Sequence, residues 1–165
     1  KKAGRLKKEA IKEFEQHLVT KELEKGDTGM GSSLLGGRGN FFGFLGFNQG
    51  AQPLEIIRDI FDTSIKIRNT KGKLKKAGST SFVWEFDISV PSKTQIYAVT
   101  PLPWGSQSWV KGVERGITNY AKTIFKDSDR SRSGVALQSR QNIGFISFRP
   151  TPYITPIINN LKKQL

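Results

Sequence analysis

Ser81-Phe-Val-Trp-Glu-Phe-Asp-Ile-Ser-Val90 alternates with a period of two. Phe82, Trp84, Phe86, Ile88 and Val90 fall on one side, and Ser81, Glu85, Asp87 and Ser89 take most of the other. Successive side chains of an extended chain point to opposite faces, so this period marks a β-strand with one buried face. Pro91 closes it, since proline has no N–H to give a ladder. Upstream, Ser64 to Asn69 alternates around Ile65 and Ile67, and Lys71-Gly-Lys-Leu-Lys-Lys-Ala-Gly78 reads as a glycine-bounded basic loop between two strands. Downstream, Lys93 to Thr100 reads as an antiparallel return strand, ended by Pro101 and Pro103. Val135–Ser139 and Ile143–Arg149 are further candidate strands.

Helical periodicity surrounds this sheet. Leu6, Ala10, Ile11, Phe14, Leu18 and Leu23 recur at spacings of three to five with Lys and Glu between them, which predicts an amphipathic helix of about six turns ending before Gly26. Pro53 suits a first helical turn, followed by Leu54, Ile57, Ile60 and Phe61 on one face. Ser108 can cap a central helix through Trp109, Val113, Ile117, Tyr120 and Ile124, and Thr155-Pro156 can open a terminal one through Ile158, Leu161 and Leu165. From Gly26 to Gly50 there are nine glycines in 25 residues, a density that argues against regular structure. The expected class is α+β in a single domain, 1–165. It comprises an N-terminal helix over 1–25, a long Gly-rich loop over 26–52, and an α+β core over 53–165 with a basic hairpin, 66–78; the N-terminal, a central and a C-terminal helix pack the antiparallel sheet.

Composition narrows the function. The chain has 27 Lys+Arg against 14 Asp+Glu, a formal charge of +13, which favours a polyanionic partner or an acidic protein surface. The absence of cysteine excludes disulfides and thiolate metal sites. No apolar run approaches the roughly 18 residues of a membrane span, and no signal-peptide pattern opens the sequence, so a cytoplasmic site of synthesis and no membrane partner are expected. His17 is the single histidine, on a helix boundary. Glu9, Glu13, Glu15, Glu22 and Glu24 are interleaved with lysines as on a solvated helix face. Gly36-Gly-Arg-Gly39 lacks the Gly-Lys-Ser/Thr ending of a phosphate loop. No catalytic residue, metal or cofactor is expected.

Three features remain. Phe41, Phe42, Phe44 and Phe47 crowd with Leu45 into seven residues and must be covered, by this chain's own core or by a neighbouring subunit. Lys66, Arg68, Lys71, Lys73, Lys75 and Lys76, with no acid between Thr63 and Phe82, form either a solvated turn or a finger for phosphate backbone. Arg130, Arg132 and Arg140 form a second basic patch. Gly112 and Gly116 lie within the central helix, where each costs about 1 kcal/mol relative to alanine, so a close approach is expected beside Trp104 and Trp109.

Pro101-Leu-Pro-Trp104, Ser108-Trp109, Val113-Glu-Arg-Gly-Ile117, Arg130-Ser-Arg-Ser-Gly134 and Gln138-Ser139 occur in an order that resembles small virion structural proteins of tailed bacteriophages, of the neck or tail-completion type at the head-to-tail junction. Phe148-Arg-Pro-Thr-Pro-Tyr-Ile-Thr-Pro-Ile157 is similar to the proline-aromatic entry to their last helix. The resemblance covers about Asn40 to Leu165 and is strongest over Pro101 to Ser139. It implies a non-enzymatic protein of the virion, in a closed ring of about six or twelve copies, joining portal-side and tail-side proteins around the exit channel for packaged DNA. On that reading Trp104, Trp109, Gly112, Glu114, Arg115, Gly116 and the four phenylalanines would serve the subunit interface. The alternative, carried by charge alone, is a basic nucleic-acid-binding accessory protein.

Overall fold

The computed structural model describes residues 2–69, 73–74, 82–83, 86–117, 123–126, 128–138 and 148–164. Seven α-helices occur among them: α1 (Lys2–Gln16), α2 (Leu18–Glu24), α3 (Phe41–Leu45), α4 (Glu55–Ser64), α5 (Lys93–Ala98), α6 (Trp109–Arg115) and α7 (Ile154–Lys163). Six strands pair as three antiparallel ladders: β1 (Lys66–Asn69) with β4 (Phe86–Ser89), β2 (Lys73–Leu74) with β3 (Phe82–Val83), and β5 (Thr123–Phe125) with β6 (Ala136–Gln138). The fold is α+β.

Leu6, Ala10 and Phe14 form the buried stripe of α1, which packs on α4 and α7. The expected six-turn N-terminal helix is broken at His17. Its backbone is extended (ψ 141°), and its Nδ1 accepts the Val19 N–H at 3.2 Å to cap α2. The break turns the next apolar face, Val19 and Leu23, into the same core. Arg58 on α4 ties the corner together. Its guanidinium donates to both carboxylate oxygens of Glu15 (2.7 and 2.9 Å), to Glu55 (3.0 Å) and to Glu24. These hydrogen bonds, first among them that to Glu15, push the Arg58 pKa further up, and the same bond holds Glu15 below the usual carboxylate range.

The expected Gly-rich loop is ordered. Two 3-10 turns, Gly26–Thr28 and Ser33–Leu35, lead into α3. Glu22, expected on a solvated helix face, is 4% exposed. Its carboxylate accepts the Ser33 and Leu34 N–H groups (2.7 and 3.3 Å) and the hydroxyls of Ser32 and Ser33, so it satisfies the orphan N–H donors of the second 3-10 turn. Asn40 is fully buried. Its side chain accepts the Gly43 N–H at 2.6 Å to cap α3 and donates to the Gly26 carbonyl at 2.8 Å. Gly46 then ends α3 at φ 75°, a conformation that favours glycine.

Three further expectations are corrected. Lys93–Thr100 is helical at α5, because Ser92 and Gln95 form a reciprocal capping box; β4 takes β1 as its partner instead. The central helix stops at Arg115, since Gly116 leaves helical space at φ 97°, and Thr123–Phe125 is a strand. Thr155 is not the cap of the last helix: α7 begins at Ile154, with Pro156 inside its first turn, where a missing N–H costs nothing. The candidate strand Ile143–Arg149 lies outside the described residues as far as Ile146-Ser147, and Phe148–Pro150 is irregular.

Candidate functional site

Two of the segments that carry the phage resemblance, Val113–Ile117 and the entry to the last helix, meet at one carboxylate. Ser108 caps α6 by accepting the Lys111 N–H at 3.1 Å and shares a hydrogen bond with Thr100 at 2.8 Å. Near the other end of α6, Glu114 accepts from the Thr155 N–H (2.6 Å) and hydroxyl (2.9 Å), from the Tyr153 N–H (3.2 Å) and from the Tyr97 hydroxyl. Alongside, the Thr151 N–H donates to the Val113 carbonyl at 2.9 Å. Burial alone would raise Glu114, but the bonds from Tyr97, Thr155 and Tyr153 outweigh it and hold the carboxyl below its ordinary range. Burial, and then the bond to Glu114, pushes Tyr97 up. Glu114 therefore joins α5, α6 and the proline-rich entry to α7.

Next to this knot lies an open groove of about 500 Å3, whose lining includes Tyr97, Pro152 and Pro156 with Lys93, Arg115 and Lys163. Arg115 is exposed. Most of the other interface candidates are not accessible. Trp109 is 1% exposed, with its ring against Phe47 (5.9 Å, edge-on) and Tyr153 (6.2 Å). Phe41 and Phe44 stack on each other and on Phe148, and Phe42 packs on Phe47. All four phenylalanines lie in this chain's own core. The close approaches of Gly112 and Gly116 are likewise internal. A Cβ on Gly112 would come within 2.9 Å of Ile117, and one on Gly116 within 3.4 Å of Pro150. Trp104 is half-buried, and its Nε1–H donates to the Leu45 carbonyl at 3.1 Å. Aromatic content in the sequence could not separate these fates, because a core and an interface desolvate the same side chains.

The basic candidates divide. Lys66 is exposed at the start of β1, the register sets Arg68 opposite Asp87, and in a separate ladder Lys73 lies opposite Val83, so Lys73–Leu74 is strand where a loop was expected. Lys71, Lys75, Lys76 and Arg140 lie outside the described residues. Arg130 and Arg132 are exposed on a tight loop that the Gln49 N–H pins through the Arg132 carbonyl at 2.8 Å. Beneath that loop is a cavity of about 160 Å3, between Gly46 and residues Arg130–Ser133, also lined by Ala136 and Leu137. The hydroxyl oxygens of Ser131 and Ser133 are buried without a hydrogen-bond partner, each at a cost of about 1–3 kcal/mol. The sequence signal for this site was present, as basic and hydroxyl residues alternating before Gly134, but burial of the hydroxyls is a tertiary fact.

Among the described residues no group of three or more His, Asp or Glu could hold a metal, and no helix is long and apolar enough to cross a membrane. His17 is half-buried against the Tyr153 ring at 4.8 Å, and burial lowers its pKa, with a backbone hydrogen bond to Pro152 working the other way. No family model, curated protein or solved structure matches this chain.

Proposed function

We propose that the chain is a non-enzymatic structural protein of a tailed-phage virion, acting at the head-to-tail junction in a neck, tail-completion or tail-terminator role. The observation that carries the reading is the knot at Glu114. Ser108-Trp109, Val113–Ile117 and the Pro150–Ile157 entry, which resemble junction proteins in sequence order, are bound to one another in space as one unit. Subunit contact then falls to the accessible members of the candidate set, Trp104 and Arg115, and to exposed apolar side chains such as Met30 (58% exposed). A homo-oligomeric ring of about six or twelve copies would meet portal-side proteins on one side and tail-side proteins on the other, with the positive surface toward packaged DNA or an acidic ring. Peptide-quantified copy number in gradient-purified, nuclease-treated particles tests this. A fixed count near six or twelve beside capsid and tail proteins supports it, and absence from particles overturns it.

The +13 charge and the antiparallel basic ribbon favour one second reading, a nucleic-acid-binding accessory protein. It expects duplex or RNA affinity that falls steeply with salt, with a shallower slope once Lys71, Lys73, Lys75 and Lys76 are neutralised. Lack of binding at low salt removes this reading.

A further inference from the structure

The groove of about 500 Å3 beside the Glu114 knot carries positive charge that its own lining does not neutralise. Lys93, Arg115 and Lys163 line it and are exposed, and among the described residues none of them forms an ion pair, whereas Arg5, Lys7 and Arg58 do. Glu114 is the one carboxylate in the lining among the described residues, and it is fully used. Its Oε1 accepts the Tyr153 and Thr155 N–H groups and its Oε2 the Tyr97 and Thr155 hydroxyls, which fills the roughly four acceptor positions of a carboxylate. Glu13, bonded to Asn160 at 2.8 Å, does not line the groove.

The shape of the groove narrows its occupant. It follows α7 from Pro156 to Lys163, seven residues that rise about 10 Å, the length of about three residues of extended chain. A single small ion would leave most of that length empty. Exposed Pro152 and half-buried Pro156 and Tyr97 give it an apolar surface, and the exposed Asn159 amide offers the donor and acceptor that a peptide main chain can pair with. The bonds to Glu114 fix α5, α6 and the entry to α7 against one another, so these walls do not have to be ordered on binding. Single-stranded nucleic acid fits less well, because its bases stack on open aromatic faces and the aromatic ring here is half-buried with its hydroxyl bonded to Glu114. We infer that the groove binds an extended, acidic peptide segment of a partner protein. The partner's carboxylates pair with the three cations, and its apolar side chains lie on Tyr97 and the prolines. This inference does not require a virion role: peptide binding is read on the isolated chain, and copy number in particles is read separately.

The test is fluorescence anisotropy of a short fluorescein-labelled peptide of alternating glutamate and leucine, titrated with the full chain at physiological salt, where charges beyond about 8 Å are screened. Alternation puts the carboxylates on one side of the extended peptide and the leucines on the other. Saturable binding is expected, with loss of binding when glutamine replaces glutamate and several-fold weaker binding when glycine replaces leucine. Arg115→Gln and Lys163→Gln, at exposed positions, should each weaken binding about threefold to fivefold with an unchanged melting temperature, and Lys12→Gln, the same charge change at an exposed position on α1, should leave it as it is. No saturable binding, equal binding of the glycine peptide, or an equal loss in Lys12→Gln overturns the proposal. So does displacement of the peptide by a short DNA duplex whose own binding depends on Arg115, which would assign the groove to nucleic acid. If Arg115→Gln dissociates an oligomer of the chain without peptide, a second copy covers the groove and the proposal falls.

Discussion

Residues 26–50 and residues 66–89 hold the chain's densest glycine and its densest positive charge, and they are built on opposite principles. The first carries nine glycines yet delivers Leu35, Phe41, Phe42, Phe44, Leu45 and Phe47 to the core, fastened by the buried polar side chains of Glu22 and Asn40. The second carries six cations and takes its order from backbone pairing, β1 on β4 and β2 on β3. Glycine density is therefore a poor measure of looseness. Glycine lets the main chain turn tightly and approach closely, and what it is tied to decides whether the segment is fixed.

This contrast can be broken at either end. If the aromatic region is core, Trp109→Ala should lower unfolding free energy by about 3–5 kcal/mol in a denaturant titration, as large aromatic deletions do; a loss below about 1 kcal/mol would return Trp109 to an interface. Glu114→Ala should cost about 2 kcal/mol, since the amides of Tyr153 and Thr155 lose their acceptor, and Glu114→Gln should cost less. Gly43→Ala should cost about 1 kcal/mol or more. Its Cβ would stand 2.8 Å from Ser133 Oγ and 3.0 Å from Ala136, so a stabilised variant would mean that α3 does not sit against β6 as described.

A graded effect comes next. His17, Glu15 and Glu114 all have folded-state pKa values below their ordinary ones of 6.5, 4.5 and 4.5. As pH falls the unfolded chain takes up protons before the folded one, so their stabilisation is complete above about pH 6.5 and is lost downward through the folded values. Melting temperature should fall from pH 7 to pH 4. His17→Gln should flatten the upper part of that fall, because protonating Nδ1 also removes the cap of α2. A melting temperature that rises in acid would contradict this. The smallest effect belongs to the basic ribbon. Lys66→Gln, at an exposed position, should change stability by no more than about 0.5 kcal/mol, and a larger loss would show the ribbon to be part of the folded core.

How legible these regions were in sequence follows from the range of the forces involved. Leu6, Ala10 and Phe14, or Ile57 and Phe61, are buried where their spacing puts them, because one face of a helix recurs in the chain itself. The Ser92–Gln95 box is equally local, and it outweighed an alternation that suited a strand. The His17 break and the early end of α6 carry weaker local signals, a lone imidazole as cap and a glycine. Of the candidate sites, the basic ribbon could be read from charge alone. The cavity lined by Ser131 and Ser133 could not, because it needs Gly46 brought from far away in the chain.

The sequence by itself determined the α+β class, the main amphipathic faces, the basic hairpin and the net charge, because periodicity and composition act over a few residues and need no partner. Only the tertiary structure decided that Leu35 and Phe41–Phe47 of the Gly26–Gly50 segment join the core, that Glu22 and Glu114 are multiply bonded acceptors, and that Trp109 and the phenylalanines face inward. Those outcomes depend on which distant backbone N–H groups and apolar faces arrive at the same place, and no local pattern records that.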